Sequence, residues 1–274
     1  MLATPNYGLR PVLPGRFILW LLWLITLLSG LGFAHSARGE GLDGKRRELT
    51  AAAQKAYVAA QERYSAEPNN AEAAWKFARA GFDRAEYATN NAERALIAEQ
   101  GITPCRELLA RGIRIAPVHY YLGMNLGQLA RTKALGALRI VDEMEHEFKM
   151  ARSLDEHFDY AGPDRNLGLL YSEAPRVASI GNRSRARQHL QRAVELAPDY
   201  PENRLNFAEA CLKWADYRLA KREFKALEDI WPKARTQFAG PEWESSWLDW
   251  EARLQGLREK LEGHAKTGAT RSKI

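Results

Sequence analysis

One spacing of residue types recurs four times along this 274-residue chain. Each copy has a small residue or Met, then a large apolar residue four positions later, then a small or apolar residue three positions further on. The copies, with the residue five positions after that, are Cys105, Leu109, Gly112 and Pro117; Met144, Phe148, Ala151 and Glu156; Ala186, Leu190, Ala193 and Pro198; and Ala220, Phe224, Leu227 and Pro232. The last two copies lie 34 residues apart at every position. A fixed period of this length predicts stacked copies of one small structural unit.

The period and the residue types together are those of the tetratricopeptide repeat (TPR), whose second helix reads A-x3-F-x2-A-x4-P. First-helix matches to the TPR pattern L-G-x2-Y agree with this: Leu167-Gly168 with Tyr171, a partial match at Leu126-Gly127, and Phe207, Ala208 and Cys211. No segment alternates apolar and polar residues convincingly with period two, which argues against a sheet. The predicted fold is an all-α, TPR-like solenoid of about four helical hairpins with flanking helices over residues 37–264.

Two irregularities predict insert loops. Trp75 and Phe82 mark a first helix whose partner begins near Thr103, so roughly 14 residues are extra relative to the repeat period. In the third repeat, Ser172 to Ser184 makes the turn about six residues longer than the consensus. Insertions in solenoids form loops on one face, and that face is often the binding face.

A helix beginning near Pro241 has a continuous apolar stripe with spacings of four and three residues: Trp243, Trp247, Trp250, Leu254, Leu257 and Leu261. Two interpretations are open. The stripe caps the exposed flank of the last hairpin, or it forms a coiled-coil seam that joins two copies into a homo-oligomer. Three indoles favour capping, because they are too wide for most coiled-coil holes. Residues 265–274 are predicted as a basic disordered tail.

Residues 1–36 have the three parts of a secretory signal peptide. Arg10 and Arg16 precede an apolar run from Phe17 to Phe33, and small residues follow at Ala34 and Ser36. The sequence therefore predicts an exported protein, periplasmic in a bacterium. The alternative is an uncleaved N-terminal membrane anchor, which would also leave the body outside the cytoplasm.

The formal net charge of +6 is concentrated at the two ends of the chain. Residues 1–36 contain two arginines and no acid, and the last ten residues contain three basic residues and no acid. The body between them is almost neutral. We therefore expect no nucleic-acid partner.

Three segments extend the likeness beyond the repeat to a family. They read NLGQLARTKALGAL from Asn125, FDYAGPDRNLGLLY from Phe158, and SIGNRSRARQHLQRAVELAPDYPENRL from Ser179. With them, residues 70–232 resemble the TatT proteins, the TPR-type T components associated with TRAP transporters. The resemblance implies a periplasmic helper that associates with the solute-binding component of an organic-acid importer. This chain departs from the many lipoprotein members, because no cysteine follows its apolar run. The alternative is a generic periplasmic TPR scaffold for envelope assembly.

Catalytic and metal-binding signatures are absent from the sequence. The six histidines form no H-E-x-x-H or comparable ligand spacing, and there is no G-x-S-x-G, P-loop or dinucleotide fingerprint. We therefore expect no enzymatic activity, no cofactor and no metal site. Cys105 and Cys211 occupy small-residue positions of different repeats, which predicts two free, buried thiols.

A partner or ligand is expected in the concave groove, which the first helix of each TPR pair lines. Counting from the preceding proline gives the candidate groove residues Tyr121, Met124, Gln128 and Arg131 in the second repeat and Arg165 and Leu169 in the third. Two exposed arginines with Tyr and Gln could hold a carboxylate or a peptide terminus through charge-assisted hydrogen bonds. The expected occupant is a protein partner, such as a solute-binding protein, or a small organic-acid or apolar ligand.

The signal peptide gives the first testable prediction. We expect cleavage after Ser36, because small residues at the −3 and −1 positions directly follow the apolar run. Intact-mass measurement of the exported protein should then give a chain that begins at Ala37. A full-length mass recovered with the membranes would instead support the anchor.

Overall fold

The computed structural model describes residues 38–133, 136–177 and 179–271, and all regular secondary structure in these ranges is helical. The predicted signal peptide lies outside the described residues. The helices are α1 (Arg38–Ala66), α2 (Ala71–Ala85), α3 (Asn91–Ala110), α4 (Ala116–Ala130), α5 (Ala137–Leu154), α6 (Phe158–Glu173), α7 (Arg183–Leu196), α8 (Pro201–Lys213), α9 (Tyr217–Gln237) and α10 (Glu244–Arg271), with a 3-10 turn at Pro241–Trp243 before α10. The predicted all-α class is confirmed.

The chain divides into two compact units. We call the described residues up to 158, together with 173–182, the N-terminal unit, and residues 159–172 and 183–271 the C-terminal unit. In the N-terminal unit each helix packs on the next, from α1 to α5, and α2 also packs against α4. Contact between the first helices of successive pairs is what a stack of helical hairpins produces.

Helix α10 covers the last two helices of the C-terminal unit. This helix packs on both α8 and α9, and its stripe shares one apolar cluster with Leu205 of α8 and Leu227 of α9. Trp250 is fully buried, and the indole Nε1 of Trp247 donates a 2.6 Å hydrogen bond to the carbonyl of Phe238. The apolar stripe is thus used within the chain itself, which confirms the capping interpretation.

Close approach of paired helices depends on one glycine in α4 and one in α6. A Cβ at Gly123 of α4 would lie 2.7 Å from Cε1 of Phe148 on α5. A Cβ at Gly168 of α6 would lie 2.6 Å from Cγ of Leu190 on α7. Gly123 is therefore the counterpart of Gly168, and the sequence match at Leu126-Gly127 is one helical turn out of register.

The first predicted insert loop is a helix extension. Helix α3 begins at Asn91, because the side chain of Asn90 caps it by accepting from the Glu93 amide, and it runs for 20 residues with Pro104 inside it. Gly112 lies beyond the end of this helix, with φ +80. The third-repeat insertion is a loop, because α6 ends at Glu173 and α7 begins at Arg183.

Two helix ends also differ from the sequence pattern. Pro232 does not close α9, which continues to Gln237. Helix α10 continues to Arg271, within residues 265–274 that the sequence predicts as a disordered tail, since this segment contains no proline. No helix in the described part of the chain combines the length and apolar character needed to cross a membrane.

The glycine contacts give a stability prediction. In Gly168→Ala the new methyl group meets the side chain and backbone nitrogen of Leu190, so we expect a loss of about 1–3 kcal/mol in the free energy of unfolding. The matched control is Gly256→Ala in α10, where nothing lies within 4 Å of the added Cβ. That variant should gain about 0.5–1 kcal/mol from helix propensity alone.

Urea unfolding followed by circular dichroism measures both changes. Equal stabilisation of the two variants would contradict the assigned α6–α7 contact.

Candidate interaction sites

The groove candidates of the second repeat share one face of α4. Tyr121, Met124, Gln128 and Arg131 follow one another at spacings of three, four and three residues, which keeps them on one side of a helix. Tyr121 and Gln128 are fully buried and Met124 is nearly so. The phenol ring of Tyr121 stacks on the indole of Trp75 with 5.8 Å between ring centroids. The part of this face that Tyr121 and Met124 form therefore belongs to the packed core.

The end of α4 carries a buried polar cluster around Glu86. Arg131 Nη1 donates to Glu86 Oε1 at 2.8 Å and to Gln128 Oε1 at 3.0 Å, and the amide of Gln128 donates to the same carboxylate oxygen. The other oxygen, Glu86 Oε2, is buried and has no hydrogen-bond partner among the described residues. The sequence did not predict Glu86, because its role depends on how closely α2 and α4 pack.

A second guanidinium belongs to this cluster. Arg94, in the first turn of α3, is only 7% exposed; its Nη1 donates to Asn91 and its Nε has no partner in the described structure. Burial and the charge of Arg131 lower its pKa, while Glu86 opposes that shift. We call Glu86, Arg94, Gln128 and Arg131 the α4 cluster. Its two guanidiniums outnumber its one carboxylate. The nearby carboxylate of Glu93 also acts on Arg94, but it is paired with Arg84, so the positive excess remains.

Arg165, the groove candidate of the third repeat, anchors an unusual turn in the C-terminal unit. Asp159, Tyr160 and Ala161 lie within the range of α6 but have left-handed backbone, with φ of 50°, 55° and 63°. This conformation costs non-glycine residues about 1–2 kcal/mol each. Arg165 Nη1 donates to the carbonyls of Asp159 and Tyr160, at 3.1 and 3.2 Å, and its Nη2 donates to the Asp159 carboxylate at 2.6 Å. These bonds offset the strain of the turn.

Asn203 of α8 completes the arrangement around Arg165. Its Oδ1 accepts from Arg165 Nη1 at 3.1 Å, and its Nδ2 donates to the carbonyls of Tyr160 and Ala193, both at 3.0 Å. The guanidinium of Arg165 also lies 5.3 Å from the ring centroid of Tyr200. Both arginines of the sequence prediction are thus buried: the side chain of Arg165 is 5% exposed and that of Arg131 is 10% exposed.

Leu169, one turn after Arg165 on α6, is also buried. Of the six candidates, Gln128 and Arg131 are therefore in contact at one end of α4. Arg165 and Leu169 lie on α6, in the C-terminal unit. A groove-lining role for these residues stays a prediction. The sequence suggested that both arginines are exposed. In the structure they are not, because neighbouring segments supply carboxylate and carbonyl acceptors to each of them.

A further charged network lies between α8 and α10. Arg253 binds Glu209 through both carboxylate oxygens, at 3.0 and 2.7 Å, and its Nη2 donates to Asn206 Oδ1 at 2.5 Å. Burial disfavours the Arg253 cation, but Glu209 and its other acidic neighbours outweigh burial and raise its pKa. Burial raises the pKa of Glu202, and the charges of Arg165 and Arg253 oppose that shift.

One polar contact recurs between the two helices of three successive pairs. The small first-helix residues of these pairs are Gly123, Gly168 and Ala208, and the large second-helix residues are Phe148, Leu190 and Phe224. In each pair, the residue four positions before the small residue contacts the residue immediately before the large one. The pairs are His119 Nδ1 with Glu147 Oε2 at 2.6 Å, His189 Nδ1 with Asp164 Oδ1 at 2.6 Å, and Arg204 Nη1 with Glu223 Oε2 at 2.9 Å. The acid is on the second helix in the first and third pairs and on the first helix in the second pair, so sequence comparison of repeats hides the pattern.

The described residues contain no group of three or more His, Cys, Asp or Glu side chains arranged to hold a metal ion. Cys105 and Cys211 are free, buried thiols, as the sequence predicts. Burial raises the pKa of Cys105, and it raises that of Cys211 to about 12. Neither thiol is a reactive nucleophile near neutral pH.

The comparisons with known proteins agree with the helical-hairpin architecture. Neither the protein-family models nor the curated proteins give a match. Among solved structures, the chain is similar to TTC0263, a thermophilic TPR protein of Thermus thermophilus, with a TM-score of 0.54 and 18% sequence identity. The similarity covers 77% of this chain and 94% of that one. This likeness supports a TPR-like fold.

The Arg165 network gives the next prediction. Arg165→Met removes the guanidinium that balances the buried Asp159 carboxylate, and we expect a loss of about 3–5 kcal/mol in the free energy of unfolding. Arg165→Lys keeps the charge but not the two-sided donor geometry, so it should lose less. Chemical denaturation followed by circular dichroism measures both variants.

Arg192→Met is the matched control, because Arg192 is partly exposed and its contact with Glu195 is long, at 3.9 Å. It should change stability by less than about 0.5 kcal/mol. If Arg165→Met is no more destabilising than this control, Arg165 is not the anchor of the turn.

Proposed function

We propose that this chain is an exported, non-enzymatic TPR-type interaction protein that serves as the accessory T component of a TRAP-like organic-acid uptake system. The observation that carries the interaction role is the repeated helical hairpin, with small residues Gly123 and Gly168 under large second-helix side chains. The transport role is supported by the resemblance of residues 70–232 to the TatT proteins. In this role the protein docks a periplasmic solute-binding partner or a small ligand on its first helices.

The α4 cluster suggests how such a partner is held. Glu86 binds Arg131 there and fixes its orientation, and the charge of Glu86 also acts on Arg94. A carboxylate from an organic acid, or from an acidic loop of the solute-binding protein, would complement the excess positive charge. Arg94 is the natural second donor, because its Nε has no hydrogen-bond partner among the described residues.

Direct binding measurements test this function. The full chain is immobilised, and the same detergent is present in every measurement. The purified TRAP-type solute-binding proteins of its own organism are then tested for binding, with and without their organic acids. We expect one of them to bind, and Arg131→Gln to weaken that binding about tenfold through loss of a charge-assisted contact. Arg192→Gln should bind like the wild type, because its side chain lies outside the α4 cluster.

Circular dichroism of each variant separates loss of binding from loss of fold. Failure of every solute-binding protein to bind, with recovery of envelope-assembly proteins in a periplasmic pull-down, would favour the generic scaffold instead.

A further inference from the structure

The N-terminal half of α7 is strongly basic. From Arg183 to His189 the chain contains three arginines and no acidic residue. Arg183 and Arg187 are four positions apart and therefore point to the same side of the helix. Arg183 is exposed and Arg187 is half-buried. This arrangement concentrates positive charge at the end of the helix whose dipole is also positive.

Both of these arginines lie over one tryptophan. The guanidinium carbons of Arg183 and Arg187 lie 5.4 and 5.7 Å from the ring centroid of Trp214, which is half-buried at the end of α8. Cation–π attraction to an indole helps to hold a guanidinium in place, and its N–H groups can still donate to a further acceptor. Trp214 thus reduces the conformational entropy that Arg183 would lose on binding a ligand.

The surrounding charges are not balanced locally. Asp216, the N-cap of α9, pairs with Arg187 at 2.8 Å. Hydrogen bonds from Arg187 and from the Leu219 amide lower the pKa of Asp216, and the nearby charge of Arg218 lowers it further. Arg187 and Arg218 therefore act on a single carboxylate, and Arg183 adds a further positive charge over Trp214. That carboxylate is already used by Arg187, which leaves a net positive surface around Trp214.

We propose that this surface, formed by Arg183, Arg187, Trp214 and Arg218, docks an acidic segment of a protein partner. It belongs to α7, α8 and α9 of the C-terminal unit and shares no residue with the α4 cluster. Glu or Asp side chains of the partner would accept paired hydrogen bonds from the stacked Arg183 guanidinium. The proposal goes beyond the uptake role and does not depend on it.

Two other anionic partners fit this surface less well. A nucleic acid is disfavoured by the almost neutral body of the chain, and two guanidiniums already lie over the Trp214 ring on which a base would stack. A membrane surface would need large apolar side chains beside the arginines to enter the lipid. Leu219, in the first turn of α9, is partly buried, so only part of its side chain is free to enter a lipid surface.

A peptide-binding assay tests the proposal. The probe is a fluorescein-labelled hexaglutamate peptide, with a hexalysine peptide and an uncharged Ser-Gly peptide as controls, and the readout is fluorescence anisotropy with the full chain. Only the hexaglutamate peptide should bind. Arg183→Glu should raise its Kd about tenfold or more. Arg183→Lys should give an intermediate loss, because it keeps the charge and loses the planar donor edge.

Two further variants separate this surface from general basicity. Trp214→Leu keeps an apolar side chain but removes the stacking platform, so it should weaken binding with Arg183 still present. Arg192→Glu makes the same charge reversal on the same helix, at an arginine that contacts Glu195, and should leave the Kd within about twofold.

Equal losses in Arg183→Glu and Arg192→Glu would overturn the proposal, because the binding would then follow net charge alone. It would also be overturned if hexaglutamate did not bind while phosphatidylglycerol vesicles bound in a way that Arg183→Glu abolished. That result would identify a lipid-facing surface instead. Circular dichroism of every variant confirms that the helices are retained.

Discussion

The close approach of the two helices in each hairpin is the contact on which the rest of the structure depends. Gly123 and Gly168 leave room for Phe148 and Leu190, and any larger side chain would push the paired helices apart. Because buried interiors are close-packed, that separation would spread to every neighbouring contact. The aromatic core, the buried polar pairs and the placement of the first-helix side chains all require this distance.

The recurring polar pair lies beside this contact and adds specificity to it. His119 meets Glu147 beside the Gly123–Phe148 contact, at 2.6 Å. A slip of one helix by a turn would keep many apolar contacts but leave the carboxylate of Glu147 buried away from its partner. Exchange of the acidic and basic sides in the next pair, Asp164 with His189, would also penalise pairing with the wrong helix. Apolar packing thus provides affinity between helices, and the polar pairs favour one register.

The fold was largely predictable from the sequence, whereas the local register and the polar networks were not. Repeat spacing and the tryptophan stripe of α10 depend on periodicity, which a single sequence contains. The Leu126-Gly127 match was out of register because an Ala/Leu/Gly-rich helix offers several similar spacings, and only the position of Phe148 selects Gly123. Glu86 acquires its role only when α2 and α4 are brought together, so no local pattern could reveal it.

Arg165 shows why groove positions alone do not define a binding site. A side chain assigned to the concave face by position in the repeat is instead bonded to Asp159 and Asn203, because the left-handed turn before it needs donors for its carbonyls. A guanidinium already saturated by buried acceptors has little left to offer a ligand. Arginines whose hydrogen bonds are incomplete, such as Arg94, or whose planar face is supported while one edge stays exposed, such as Arg183, are better placed to bind one. Recognition by this protein is therefore expected where positive charge exceeds the local supply of acceptors, and not wherever the repeat pattern directs a side chain into the groove.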